Sequence, residues 1–200
     1  MKKEQNAEKT KVRKLARTKE KVSQWTTNPL NEKVLDYHNY EMTKSESVLY
    51  FVAAFLVGGV VSQFFYGGLF QEDGVPTLLT YISNSAAFVI VGLLVGKVFL
   101  PVRSRQLAEK RRDTLRRQFR DMLESLTASL AANSTVRDAF SSAYTDMCMQ
   151  YSDDALISKE LDQFRRAEQI NVTLDVMMGD FAKRSGVEEI QGFNLSLIHI

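Results

Sequence analysis

Charge is missing from two long stretches of this chain, and reactive side chains are scarce throughout. Of 200 residues, one is cysteine (Cys148) and two are histidine (His38 and His199). A lone cysteine excludes an internal disulfide and suits a reducing compartment, where its simplest role is a small residue between helices. Neither histidine has a partner at metal-ligand spacing. His38 precedes Glu41 with no kinase-like segment near it, so a solvated or interfacial imidazole is expected rather than a phosphoacceptor. The glycines form no phosphate-cradling loop and gather instead as Gly58-Gly59, Gly67-Gly68, Gly92 and Gly96 in apolar sequence. These absences leave no catalytic residue, cofactor site or metal site to name, and no enzyme is expected.

The uncharged stretches are what the chain does have. Val48 to Phe70 carries no charge, and Thr77 to Leu100 carries only Lys97. At about 1.5 Å per residue the first reaches about 35 Å, enough to cross a hydrocarbon core of about 30 Å. The spacer Gln71-Glu72-Asp73-Gly74-Val75-Pro76 is too short for a domain and ends in turn chemistry. The expectation is an all-α membrane protein: a transmembrane helical hairpin over 47–101, followed by a small cytoplasmic antiparallel helical bundle. Lys97 lies one turn from the end of its stretch, where its stem reaches the headgroups, so an ion-pathway role is not favoured. Gly92-x-x-x-Gly96 has the small-residue spacing of helix contacts.

Cations set the expected orientation. Eleven Lys and Arg precede Glu46, eight lie from Arg103 to Arg120, and the spacer has none. Flanking cations stay cytoplasmic, which predicts a multi-pass protein of the cytoplasmic (inner) membrane with both ends of the hairpin inside. Residues 1–46 read as a basic cytoplasmic arm. Its first 24 residues are too polar to bury a core and are expected to stay disordered or to lie on anionic lipid rather than nucleic acid. Over 25–46, Trp25, Leu30, Val34, Leu35, Tyr37, Tyr40 and Met42 predict a short interfacial helix with its aromatics at headgroup level.

After Pro101 the pattern becomes that of soluble helices. Leu115, Phe119, Met122, Leu123, Leu126 and Leu130 repeat at three- and four-residue steps. A second stripe is Val136, Ala139, Phe140, Ala143, Tyr144 and Met147, a third Ile157, Leu161 and Phe164, and a fourth Leu174, Met177, Met178 and Phe181. Asp153-Asp154 is expected to begin the third helix, where negative charge meets the positive end of the dipole. The acidic residues, Glu160 among them, are expected on solvated faces or a partner-docking surface. Two links share a pattern, Ala132-Asn133-Ser134-Thr135-Val136 and Ile170-Asn171-Val172-Thr173-Leu174. In each, Asn suits the left-handed residue that ends one helix and Thr caps the next.

From about Arg105 to Phe193 the order of features resembles the type II secretion system F-domain family, nearest to its tight-adherence (Tad) pilus branch. The segment from Phe119 to Asn133 resembles the family's first helix, and Thr135-Val136-Arg137-Asp138-Ala139-Phe140 the start of its second. Glu160 stands where the family often has an acidic residue. Asn171 to Met177, then Phe181-Ala182-Lys183-Arg184-Ser185, resemble the second hairpin and its arginine ending. Asn133 and Asn171 replace the family's glycines. The resemblance covers 102–193 as a cytoplasmic F-type domain. It leaves 194–200 as a tail, read as the start of a third span or as foreign sequence on a truncated reading frame.

The resemblance implies a non-enzymatic inner-membrane platform, a scaffold of a secretion or type IV (Tad-like) pilus machine. Its implied partners are a cytoplasmic secretion or pilus ATPase, pilin-like subunits, anionic lipids, and further copies or subunits in a homo- or hetero-oligomer, with no nucleic acid. Arg111, Arg112, Arg116 and Arg117 on a basic stalk are the expected lipid or partner contacts. Reversing all four is expected to abolish assembly while leaving the bundle helical. The alternative is a membrane-anchored signalling protein relaying a stimulus through its helical cytoplasmic domain.

Overall fold

A computed structural model describes residues 23–66, 71–72, 75–76, 78–132 and 134–198. The chain is mostly helical, 79%, and divides into two compact units, one made of residues 41–107 and the other of 1–40 together with 108–200. The basic arm over 1–22, Asn133 and the last two residues lie outside the described residues.

In the first unit, α1 spans Lys44–Tyr66 and the opening part of α2, Leu78–Ala131, runs against it. Both helices are long and apolar enough to cross a membrane. Between them the spacer forms a minimal antiparallel pair, β3 (Gln71–Glu72) with β4 (Val75–Pro76). Leu49, Phe64, Leu79, Ile90 and Val98 face outward from the unit. Such apolar exposure would be costly in water and is neutral in lipid.

The seam between the two helices is built from rings lying on glycines. A Cβ placed on Gly96 would stand 2.7 Å from the Phe51 ring, and one on Gly92 would stand 2.7 Å from Phe55 and 2.9 Å from its backbone oxygen. Gly59 lies under Phe88 in the same way, and Phe55 meets Phe88 edge to face with centroids 5.7 Å apart. Phe51, Phe55 and Gly59 recur every four residues on α1, as do Phe88, Gly92 and Gly96 on α2, so each set occupies one helix face. The small-residue spacing is therefore a packing surface, because only a missing side chain admits an aromatic ring that close.

The second unit holds the rest of α2, then α3 (Val136–Tyr151), α4 (Leu156–Gln169), α5 (Leu174–Ser185) and α6 (Glu188–Ile198). The expected stripes form its core: Leu115, Phe119, Met122 and Leu126 meet Ala139, Phe140, Ala143 and Met147, with Ile157, Leu161, Phe164, Met177, Met178 and Phe181. Phe181 sits among the rings of Phe119, Phe164 and Tyr37, with centroids 6.4, 6.0 and 6.5 Å away. The ends of two stripes, Leu130 and Val136, are instead exposed.

The joints follow their local chemistry. Asn171 has φ of 58°, the left-handed conformation expected of it, and Thr135 and Thr173 are the N-caps of α3 and α5. The Thr135 hydroxyl accepts from the Asp138 amide at 3.2 Å. Thr173 makes no side-chain bond to its helix amides. Gly186, at φ of 60°, ends α5. Asp153 and Asp154 precede α4 rather than opening it; its N-cap is Ala155, and Asp154 pairs with Lys159 at 3.0 Å.

Two further expectations change. The helix does not begin anew after Pro101: α2 runs through that residue, since a proline inside a helix removes one amide bond and distorts the turn without having to end it. Residues 194–198 lie within α6, whose Phe193 packs on Phe119 at 5.9 Å, an arrangement compatible with either reading of the tail. The short interfacial helix over 25–46 is not formed before Lys44. Instead β1 (Trp25–Thr27) pairs antiparallel with β2 (Lys33–Leu35), in register Thr26 to Val34. β-branched and aromatic residues on either side of an Asn-Pro turn favour extended strands.

Candidate functional site

The segment before α1 is held by the helices after α2, and it brings together the densest set of buried polar groups among the described residues. Its turn is closed by Asn28, whose Oδ1 accepts from the amides of Leu30 and Glu32 at 3.0 and 2.9 Å. Asn31 supplies the left-handed residue at φ of 59°. The other end of the Asn28 side chain donates to Gln163 Oε1 on α4 at 3.1 Å. At the rim, Glu32 pairs with Arg166 at 2.8 Å.

Tyr37 is the anchor of this segment. It is 1% exposed, its hydroxyl donates to Glu160 Oε1 at 2.9 Å, and its amide donates to the Arg184 carbonyl at 3.0 Å. Arg184 answers from α5: Nη1 and Nη2 reach the two Glu160 oxygens at 3.0 and 2.8 Å, and Nε reaches Asp180 at 2.6 Å. Nη1 also donates to the Leu35 carbonyl at 2.9 Å. One guanidinium thus serves a carboxylate on α4, a carboxylate on α5 and the backbone of β2.

The electrostatics follow from that enclosure. Burial, with the Glu160 charge next in size, pushes the Tyr37 ionisation well above the usual tyrosine value. Burial also opposes the Arg184 charge, but bonds and charge from Glu160 and Asp180 outweigh it and hold the guanidinium above its ordinary value. Glu160, expected on a solvated face, is instead 1% exposed. The stripe carried a sign of this, since Glu160 falls on the apolar face between Ile157 and Phe164; what local sequence did not supply is the neutralising group, which comes from another helix.

The four arginines expected to touch lipid or partner are largely engaged within their own unit. Arg111 stacks on Tyr40 with 4.6 Å to the ring centroid and lies 3.4 Å from Gln24 Oε1. Arg112 is half-buried, its Cδ 3.3 Å from where a Gly186 Cβ would stand. Arg116 pairs with Asp113 at 2.8 Å and with Glu189 at 3.2 Å, joining α2 to the start of α6. Arg117 is exposed and makes a single long contact, to the Asp113 carbonyl at 3.4 Å.

A separate groove of about 380 Å³ opens where α3 and α5 begin and α4 ends. Phe140, Leu161, Phe164 and Met177 line it, with Arg137, Arg165 and Glu168 around it. Its charges are already answered: Arg137 pairs with Glu168, and Arg165 pairs with Asp162 at 2.8 Å while lying over the Tyr144 ring. Cys148 is partly buried and its thiol is pushed up, first by burial, which lowers its reactivity. No cluster of three metal-ligating side chains occurs among the described residues.

Comparison of the chain with protein-family models, curated proteins and solved structures returned no significant match.

Proposed function

We propose that this chain is a non-enzymatic platform of the cytoplasmic membrane, a scaffold of a type II secretion or Tad-like pilus machine that couples a cytoplasmic ATPase to the assembly of pilin-like subunits. In this reading α1 and the apolar part of α2 form the two-span hairpin, both of its ends are cytoplasmic, and the remaining helices form a bundle that meets the ATPase. The observation that carries it is the Glu160–Arg184 pair. The acidic position and the arginine ending named by the F-domain resemblance are the two residues that bond across α4 and α5.

Two further features support a mechanical rather than a chemical role. Asn28 with Gln163, and Tyr37 and Arg184 with Glu160, satisfy one another, which suits a scaffold that must keep its shape under load. The groove among α3, α4 and α5 is apolar at the base and rimmed by paired charges, the make-up of a protein-docking surface. Of the four arginines, Arg117 is the one left exposed to lipid or partner. Reversing all four would set Arg116→Glu against Glu189 and disturb the bundle itself, so Arg117→Glu alone is the cleaner probe of assembly.

The test is photo-crosslinking in native membranes from Arg137 and Arg165, which line the groove, and from Asp146 on α3. Captured proteins are identified by mass spectrometry. Capture of a secretion ATPase or another pilus component is the expected result. Reproducible capture of a kinase or receiver, with no pilus component, would transfer the chain to the signalling class.

A further inference from the structure

The compact unit made of 1–40 and 108–200 is discontinuous in sequence, and both apolar helices are inserted between its two parts. Its first part is not a passive flank. Residues 24–40 supply Tyr37 to the core and reach α4 through Asn28, Glu32 and the Tyr37 hydroxyl, and α5 through the Tyr37 amide and the Leu35 carbonyl. Only Glu41, Met42 and Thr43 separate this strap from the start of α1.

We infer that docking of residues 24–40 onto α4 and α5 is a topology lock. The inference rests on the membrane reading above. If α1 and α2 each cross the bilayer, Tyr37 reaches Glu160 and Arg184 only when the chain entering α1 and the chain leaving α2 lie on the same side. A chain in which one helix failed to cross would leave Glu160, Arg184 and Gln163 without the strap. Gln163 Oε1 without its Asn28 donor, the Arg184 carbonyl without the Tyr37 amide, and the open core position of Tyr37 would then mark it as incompletely folded. The strap's polar character fits this task, because buried hydrogen-bonded pairs discriminate between right and wrong docking more sharply than apolar contact does.

The test keeps the full chain in its membrane. A protease site is placed at Glu41-Met42 and a tag at the N-terminus; after cleavage, membranes are washed with high salt, which strips arm residues held only by lipid charge. The tagged 1–40 fragment should remain with the 41–200 fragment, and capture through the latter reports this whether or not the latter stays in the membrane. Glu32→Arg faces Arg166 with a like charge and should lose much of the retained fragment. Glu32→Arg with Arg166→Glu should restore it, which an unfolded domain would not do. In a Cys148→Ser background, Lys33→Cys and Glu124→Cys should react with an impermeant maleimide from one side only, and from the same side.

Release of the wild-type strap from an intact 41–200 fragment would overturn the lock, as would labelling of the two cysteines from opposite sides. Labelling of both only from the outside would uphold the lock and overturn the cytoplasmic orientation. Departure of the 41–200 fragment from the membrane with the strap still bound would overturn the membrane reading while leaving the docking contact in place.

Discussion

Arg184 holds the Glu160 carboxylate in a two-bond fork, Nη1 to Oε1 at 3.0 Å and Nη2 to Oε2 at 2.8 Å, with both side chains almost withdrawn from solvent. Removing one partner strands the other charge in the interior, which costs about 3–5 kcal/mol. Arg184→Met and Glu160→Gln are each expected to fall near that range in chemical unfolding of the full chain in detergent. Glu160→Leu combined with Arg184→Met should recover part of the loss, because the fully buried pair is removed whole, while Asp180 loses its partner and the Tyr37 hydroxyl its acceptor. A double variant as unstable as the sum of the two single variants would show that the residues act independently.

Tyr37 gives the strap a dependence on alkaline pH. Burial raises its ionisation well above the usual 10.0, and the neighbouring Glu160 charge adds to that. A released tyrosine loses its proton near 10.0 while the docked one keeps it, so the contribution of Tyr37 to stability is complete below that pH. It then declines as pH rises toward the docked value. Fluorescence of Trp25, the only tryptophan, should report strap release on this alkaline limb. Tyr37→Phe should be less stable at neutral pH and show a flatter alkaline limb; an unchanged limb would remove Tyr37 as its source.

The ring-on-glycine seam predicts an order among three alanine substitutions. At Gly92 the new methyl would meet the Phe55 backbone oxygen at 2.9 Å, which no rotamer change relieves, whereas at Gly96 it meets only the Phe51 ring. Gly92→Ala is expected to cost about 1–3 kcal/mol, the range for overpacking, and Gly96→Ala less. Gly192 has nothing within 4 Å of its Cβ position, so Gly192→Ala in α6 should be neutral or stabilise by up to about 1 kcal/mol. Thermal unfolding in detergent, followed by the helical circular dichroism signal, ranks the three.

Asn171 ends α4 in a left-handed conformation at φ of 58°. A residue with a Cβ and no compensating side-chain bond pays roughly 1–2 kcal/mol there. Asn171→Ala should therefore lower stability by about that amount in a denaturant titration, and Asn171→Gly should be neutral. Equal losses in both variants would mean that the asparagine amide, not the backbone conformation, carries the joint.

The helical character of the chain was legible because its information is local. Uncharged length marked α1 and the first half of α2, and three- and four-residue periodicity marked Leu115 to Leu126, Ile157 to Phe164 and Met177 to Phe181 as core. The left-handed Asn171 and the N-caps Thr135 and Thr173 were legible for the same reason, since a left-handed residue and an N-cap are properties of single positions. The strap was not. Trp25, Tyr37 and Tyr40 before an apolar run suit a headgroup belt as well as a protein core, although Trp-Thr-Thr-Asn-Pro was a usable sign of strand and turn.

What the sequence by itself determined is the helical character of the two uncharged stretches and of the bundle segments, and most of their apolar faces, because side-chain period depends on residues within a few positions. What only the tertiary structure decided is which distant groups neutralise each other. Glu160 and Arg184 are 24 residues apart, and Tyr37 is 123 residues from Glu160. Before folding, each is an ordinary polar side chain. Burial in one low-dielectric pocket makes each the condition for the others, and that joins the segment before α1 to the helices after α2.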